Sequence, residues 1–103
     1  MRVRLHAEAE EELFAGAAWY DGQRPGLADD LLGELAAVLT ALADAPETSS
    51  PWPDAPRREP VIRRALLSVF PYAIAYQCFD DELVVLAVAH TSRRPLYWAH
   101  RGP

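Results

Sequence analysis

Lysine is absent from this chain, and all ten of its basic residues are arginine. A guanidinium stays charged at any cellular pH and grips carboxylates or phosphates through a planar fork of donors, so these cations can neutralise negative charge but cannot readily act as general bases. Cysteine is almost absent as well. Cys78 is the single one; it excludes an intrachain disulfide and, lying in a strand-like stretch, reads as a small apolar residue. Only five glycines are present and none forms a phosphate-cradling loop, so nucleotide hydrolysis has no support. His6, His90 and His100 are scattered, no two have helical i, i+4 spacing, and no cysteine pair exists, so neither a metal site nor a cofactor is expected. The longest apolar run, residues 83–89, is far short of the roughly 20 residues a membrane helix needs. Met1-Arg2-Val3-Arg4-Leu5 followed by acids does not have the form of a signal peptide, and a cytoplasmic protein is expected.

Half of the 103 residues are hydrophobic, enough for one domain spanning 1–103 and too few for two. The net charge of −5 is unevenly spread: residues 1–56 set three arginines against eleven acids, whereas residues 57–103 set seven arginines against four. Positive charge is thus concentrated in the second half.

Val3 and Leu5 alternate with Arg2, Arg4 and His6, the pattern of a short strand with one buried face. From Ala7 the spacing becomes helical. Glu8, Glu10, Glu11 and Glu12 crowd the first turns, where the helix dipole favours acids, and Ala9, Leu13, Ala17 and Tyr20 fall on one face; this helix should end near Asp21-Gly22. Pro25 and Gly26 then open a second helix, with the proline expected in its first turn. Leu27, Leu31, Leu35, Val38 and Leu42 line its stripe, and Leu32, Ala36 and Leu39 widen it, so an antiparallel helical hairpin is expected.

Pro46, Pro51, Pro53, Pro56 and Pro60 exclude regular structure from the next segment, where Trp52 is expected to lid the core. Three strand-like runs follow. Residues 61–67 carry Arg63 and Arg64; Phe70, Tyr72, Ile74, Tyr76 and Cys78 share a face of the next. In the last, Val84, Leu86, Val88 and His90 are expected on one face and Leu83, Val85, Ala87 and Ala89 on the other, so that strand should be central to its sheet. The order strand, helical hairpin, loop, three antiparallel strands implies an α+β fold with the helices on one face of a small sheet.

Phe70-Pro71-Tyr72-Ala73-Ile74-Ala75-Tyr76, the run ending at His90, and the tail His90-x-x-Arg93-x-Pro95-x-x-Trp98 together resemble the C-terminal hairpin of the RelE/ParE family of bacterial toxins. The resemblance implies the same α+β arrangement and the toxin role in a type II toxin–antitoxin pair, with a cognate antitoxin as partner. The ParE-like branch, which poisons DNA gyrase by binding alone, fits a lysine-free chain with fewer assumptions than the RelE-like branch, which cleaves mRNA on the ribosome. A degenerate member that survives as a non-toxic binding module is a third possibility. Direct sequence-specific DNA binding by this chain is not expected.

Binding of the target falls to Arg63, Arg64, Arg93, Arg94 and Trp98 under this resemblance, with the arginines expected to converge on one concave face. For a ribosome-dependent nuclease, His90 or Tyr97 would have to move protons while Arg64 and Arg93 clamp the phosphate. The bland alternatives are a structural His90 and a Tyr97-Trp98 pair packed as a C-terminal latch. Antitoxin contacts are expected at Trp19, Leu32 and Leu39 on the hairpin and at Arg63 on the sheet.

Overall fold

Strand β1 forms over Arg2–Leu5 in the computed structural model, which describes residues 1–103. Helix α1 follows at once over Ala7–Gln23. His6 caps it, Nδ1 accepting the Glu8 N–H at 3.1 Å, while Glu8 and Glu10 sit at the positive end of the dipole. Helix α2 spans Leu27–Asp44 and has no side-chain cap of its own; Asp21 from α1 accepts the Ala28 N–H at 2.8 Å and caps it from across the turn. Gly26, at φ 96°, is the residue before α2, a left-handed conformation that glycine adopts freely. That kink places Pro25 outside the helix and not in its first turn as the sequence suggested.

Strands β2 (Arg63–Leu66), β3 (Tyr72–Cys78) and β4 (Glu82–His90) complete a sheet of order β1-β4-β3-β2. β4 is central, as expected of a strand apolar on both faces, and β1 lies parallel to it, the helical hairpin carrying the chain from β1 to β2 at the opposite edge. Ala9, Leu13 and Ala17 of α1 and Leu31, Leu35 and Leu42 of α2 pack with Tyr72, Ile74, Tyr76, Leu83, Val85 and Val88 of the sheet. The proline-rich loop carries one short 3-10 turn, Pro46–Thr48, and otherwise runs irregularly beneath the opposite face.

A β-bulge alters the last strand. Ala75 pairs with Ala87 but Tyr76 pairs with Val85, leaving Leu86 as an extra residue. Strict alternation therefore fails at Leu86: Val84, Leu86, Ala87 and Ala89 all join a second core with Ile62, Ala75 and Trp98, while Val88 turns to the helix side. The expectation that Val84, Leu86, Val88 and His90 share one face is corrected by that one inserted residue. It also sets His90 edge-on against Tyr72, the ring centroids 5.2 Å apart.

Glu34 of α2 ties the helices to the β2–β3 turn. Its carboxylate accepts the N–H groups of Ser68 at 2.7 Å, Val69 at 3.1 Å and Phe70 at 3.2 Å. Desolvation pushes this carboxyl up, but the bonds from Val69, Ser68 and Phe70 together outweigh it and hold Glu34 below its ordinary 4.5. A lowered folded value means the stabilisation is fully present above the ordinary value and is lost as pH falls through the folded one. Thermal melts from pH 7 to pH 3 should show Glu34→Gln less stable than wild type at neutrality, with the gap closing on the acid side; a constant gap would contradict the assignment.

Gly16 faces the Tyr72 ring so closely that a Cβ would collide with the phenolic oxygen. Gly16→Ala should cost about 1–3 kcal/mol by overpacking. Tyr72→Phe in the same chain should recover much of that loss in urea denaturation, since it deletes the atom that is struck.

Candidate functional site

Consecutive residues of a strand point to opposite faces, so Arg63 and Arg64 separate. Arg63 lies on the side of β2 away from the cleft described next, and its Nη1 donates to the Ser49 carbonyl at 2.7 Å. Arg64 stands on the other face with its guanidinium 5.6 Å from the Trp52 ring. There it joins His90, Arg93, Arg94, Tyr97 and Trp98 around a cleft of ≈ 250 Å³ whose remaining wall includes Trp52 and Leu66. The structure thus gathers most of the residues singled out in the sequence and excludes Arg63. Arg64 and Arg94 form no ion pair with any acid of the chain.

Beneath this cleft lies a buried ionic cluster that sequence reasoning did not identify. β1 pairs with β4 only as far as Leu5 and Val85, so the edge of β4 beyond that point has no strand beside it. Glu12 and Arg101 take the missing strand's place. Glu12 Oε1 accepts the Val88 N–H at 3.0 Å, and Arg101 Nη1 donates to the Leu86 carbonyl at 3.0 Å. The two side chains also bond each other twice, Nη1 to Oε1 and Nη2 to Oε2, both at 3.0 Å. Glu12 Oε2 further receives the Tyr97 hydroxyl and Arg93 Nη1, the latter at 3.4 Å. Arg101 Nε approaches Glu8 at 3.1 Å as an ion pair without hydrogen-bond geometry. Arg58 of the loop secures the same tail, donating to the carbonyls of Arg101 at 2.6 Å and Ala99 at 2.5 Å. The available signal was the placement of Glu12 one turn from buried Ala9 and beside buried Leu13, where an acid needs a partner.

The model of the ParE toxin of the type II toxin–antitoxin system parDE matches residues 3–95. The chain belongs to the ParE toxin family. A solved structure described as a chromosomal ParDE toxin–antitoxin system from P. aeruginosa superposes with a TM-score of 0.70 at 16% identity, over 89% of this chain and 97% of that one. At that identity the likeness speaks to fold. No curated protein matches the sequence.

In this ParE toxin one proton-transfer candidate, Tyr97, is engaged inside the fold, and the other, His90, is held at one ring nitrogen. Burial first, then the hydrogen bond to Glu12 and the charge of its carboxylate, push the Tyr97 phenol far above its ordinary range, and its proton is committed to Glu12. Arg93 stacks on the Tyr97 ring at 3.7 Å from its centroid and pairs with Glu12 at 3.4 Å, while 53% of its side chain stays exposed. His90 Nδ1 lies 3.1 Å from the Ser92 N–H and 2.7 Å from Ser92 Oγ. A backbone N–H can only donate, so Nδ1 accepts and the neutral imidazole carries its proton on Nε2.

Trp98, expected at the target surface, is instead 1% exposed and packs edge-on against Trp52 with centroids 4.9 Å apart. It holds the tail in place and offers no contact area. On the hairpin, Leu32 and Leu39 are half-buried against the principal core. Trp19 is 60% exposed, and Phe14 on the same helix is 57% exposed. Leu66 at the end of β2 and Val69 in the β2–β3 turn are the other strongly exposed apolar side chains. No cluster of side chains suited to a metal ion is present, and no helix is long and apolar enough to cross a membrane.

Proposed function

We propose that this ParE toxin arrests growth by binding DNA gyrase, without catalysis of its own, and that a cognate antitoxin neutralises it. The observation that carries the reading is the cleft of Arg64, Arg93 and Arg94 over an aromatic floor, with Arg64 and Arg94 free of acids while the Tyr97 hydroxyl is committed to Glu12. Unpaired arginines beside the half-buried rings of Trp52 and Tyr97 suit an anionic or mixed protein surface, where Arg and aromatic side chains dominate binding energy. An mRNA nuclease would instead need its proton donors and acceptors free to turn toward the substrate. Such a target places the toxin in the cytoplasm.

Purified protein should inhibit gyrase supercoiling of a plasmid, and Arg64→Glu with Arg94→Glu should weaken inhibition by about tenfold or more while leaving the thermal melt unchanged. Supercoiling that proceeds normally at high molar excess would overturn the gyrase reading. Cleaved message in cells expressing the chain, lost in His90→Ala, would establish the ribosome-dependent nuclease in its place.

A further inference from the structure

β2 lies at the edge of the sheet, and its outer side is closed over only part of its length. The proline-rich loop runs beside it: the Trp52 N–H donates to the Ile62 carbonyl at 2.8 Å and the Arg64 N–H to the Ser50 carbonyl at 2.9 Å, with Pro51 bridged to Arg63. No loop residue pairs with the strand beyond Arg64. Backbone groups of successive residues in such a strand point to alternate sides, and the Leu67 N–H turns inward to the Tyr72 carbonyl at 3.0 Å. The N–H and C=O of Leu66 therefore face outward, where no backbone group of the chain meets them. Proteins usually cover or charge an edge of this kind, because free donors and acceptors beside apolar side chains template another strand. Here the edge residue is an apolar one, Leu66, 60% exposed.

The open edge has a different wall on each face of the sheet. On the face away from the helices, Arg64 and Leu66 border the arginine cleft together with Trp52 and Arg94. On the helix face lies a groove of ≈ 470 Å³ that also reaches Arg64 and Leu66, with Val38, Ala41 and Leu42 of α2 and Ala65 of β2 as its apolar wall. Successive side chains of an added strand would alternate between these two walls. One wall carries cations, neither Arg64 nor Arg94 being in an ion pair, and the other carries aliphatic carbon.

We infer that the target offers an extended segment that adds to β2 at Leu66, with an acidic side chain turned to Arg64 and Arg94 and its apolar neighbours turned to α2. The inference rests on the reading that the arginine cleft binds the target, and it deepens that reading by naming the form of what is bound. Hydrogen bonds to the Leu66 N–H and C=O would set the register, and the two walls would select the sequence. A nucleic acid backbone is disfavoured as the source of the anion by the chain's net charge of −5. A second copy of this chain is disfavoured as well, since pairing two β2 edges would bring two sets of unpaired arginines together.

Hydrogen exchange at the Leu66 amide, measured in the toxin alone and with purified gyrase, tests this together with supercoiling inhibition by variants. The amide should exchange freely in the toxin alone and about tenfold or more slowly in the complex. Leu66→Pro deletes the outward N–H and leaves the β2–β3 ladder intact, a placement that an edge strand tolerates, and should weaken inhibition about tenfold or more. Leu66→Ala, which trims the side chain and keeps the N–H, should weaken it about threefold or less. Ala41 is exposed on α2, and Ala41→Glu and Ala41→Arg should each weaken inhibition about threefold to tenfold, because either charge spoils an apolar wall. A Leu66 amide that stays unprotected in the complex, or equal potency of Leu66→Pro and Leu66→Ala, would show docking by side chains alone and overturn the inference while the gyrase reading stands. Stronger inhibition by Ala41→Arg would put an acid on the α2 side and overturn the assignment of the two walls. Protection of the amide by the co-encoded antitoxin and not by gyrase, or by concentrated toxin alone, would give the edge to the antitoxin or to a second copy and overturn it too. Normal supercoiling at high molar excess of the wild-type chain would remove both readings.

Discussion

Glu12→Ala should lower stability by about 3–5 kcal/mol, the cost of stripping one partner from a buried ion pair. In a chain of 103 residues that corresponds to a drop of about 15–25 °C in melting temperature. The carboxylate is the meeting point of donors from four residues: the Val88 N–H, the Tyr97 hydroxyl, and the guanidinium groups of Arg93 and Arg101. Without it Arg101, 7% exposed, remains as a buried cation with only the Leu86 carbonyl and the Glu8 carboxylate nearby. Glu12→Gln should be nearly as damaging, because the amide keeps an acceptor but turns a donor toward Arg101. Replacing both partners, Glu12→Leu with Arg101→Leu, removes the stranded charge and should recover part of the loss. It should not recover all, since the Val88 N–H and Leu86 carbonyl stay unpaired where β1 does not reach. Urea denaturation measures each step, and faster exchange of the Val88 amide in Glu12→Ala locates the damage at the β4 edge. A loss under about 1 kcal/mol would show the cluster to be dispensable.

Trp98→Ala should cost about 3–5 kcal/mol as well, by a different route. The indole fills the second core against Ile62, Val84, Leu86 and three small residues, Ala75, Ala87 and Ala89, and Trp52 closes over it. Those alanines cannot expand into the vacated space, so a cavity remains. Trp98→Phe keeps most of the apolar volume and should cost less than half as much. Stability is not the only readout: Arg93 and Arg94 lie just upstream of Trp98, so loosening the tail should weaken target inhibition even at temperatures where the chain stays folded. Full inhibitory potency in a folded Trp98→Ala chain would mean that the tail's position does not matter to the target.

Much of the architecture was legible before any coordinates. Ala9, Leu13 and Ala17 at helical spacing, and Tyr72, Ile74 and Tyr76 at strand spacing, announce their buried faces by period alone. The Thr91–Trp98 tail also stood out, and the cleft does gather Arg64, Arg93 and Arg94. For Trp98 the sequence offered both a target contact and an inward latch, because an aromatic after a proline turn reads alike whether it anchors the tail inward or presents outward; its burial agrees with the latch. Glu12 was hidden among four acids in the first turns of α1, where the dipole accounts for all of them equally.

By itself the sequence determined the order of elements, the α+β class, the central place of the last strand and the migration of positive charge to the second half. Each follows from local periodicity or from a count, quantities that need no knowledge of the chain's path. Only the tertiary structure decided that Glu12 and Arg101, 89 residues apart, would complete the edge of β4. It alone set Arg63 and Arg64 to different duties and turned Val88 to the helix side at the bulge. The physical reason is that a short first strand leaves backbone groups of β4 without partners, and which distant side chains reach them depends on how helices and tail pack, a matter no window of neighbouring residues contains.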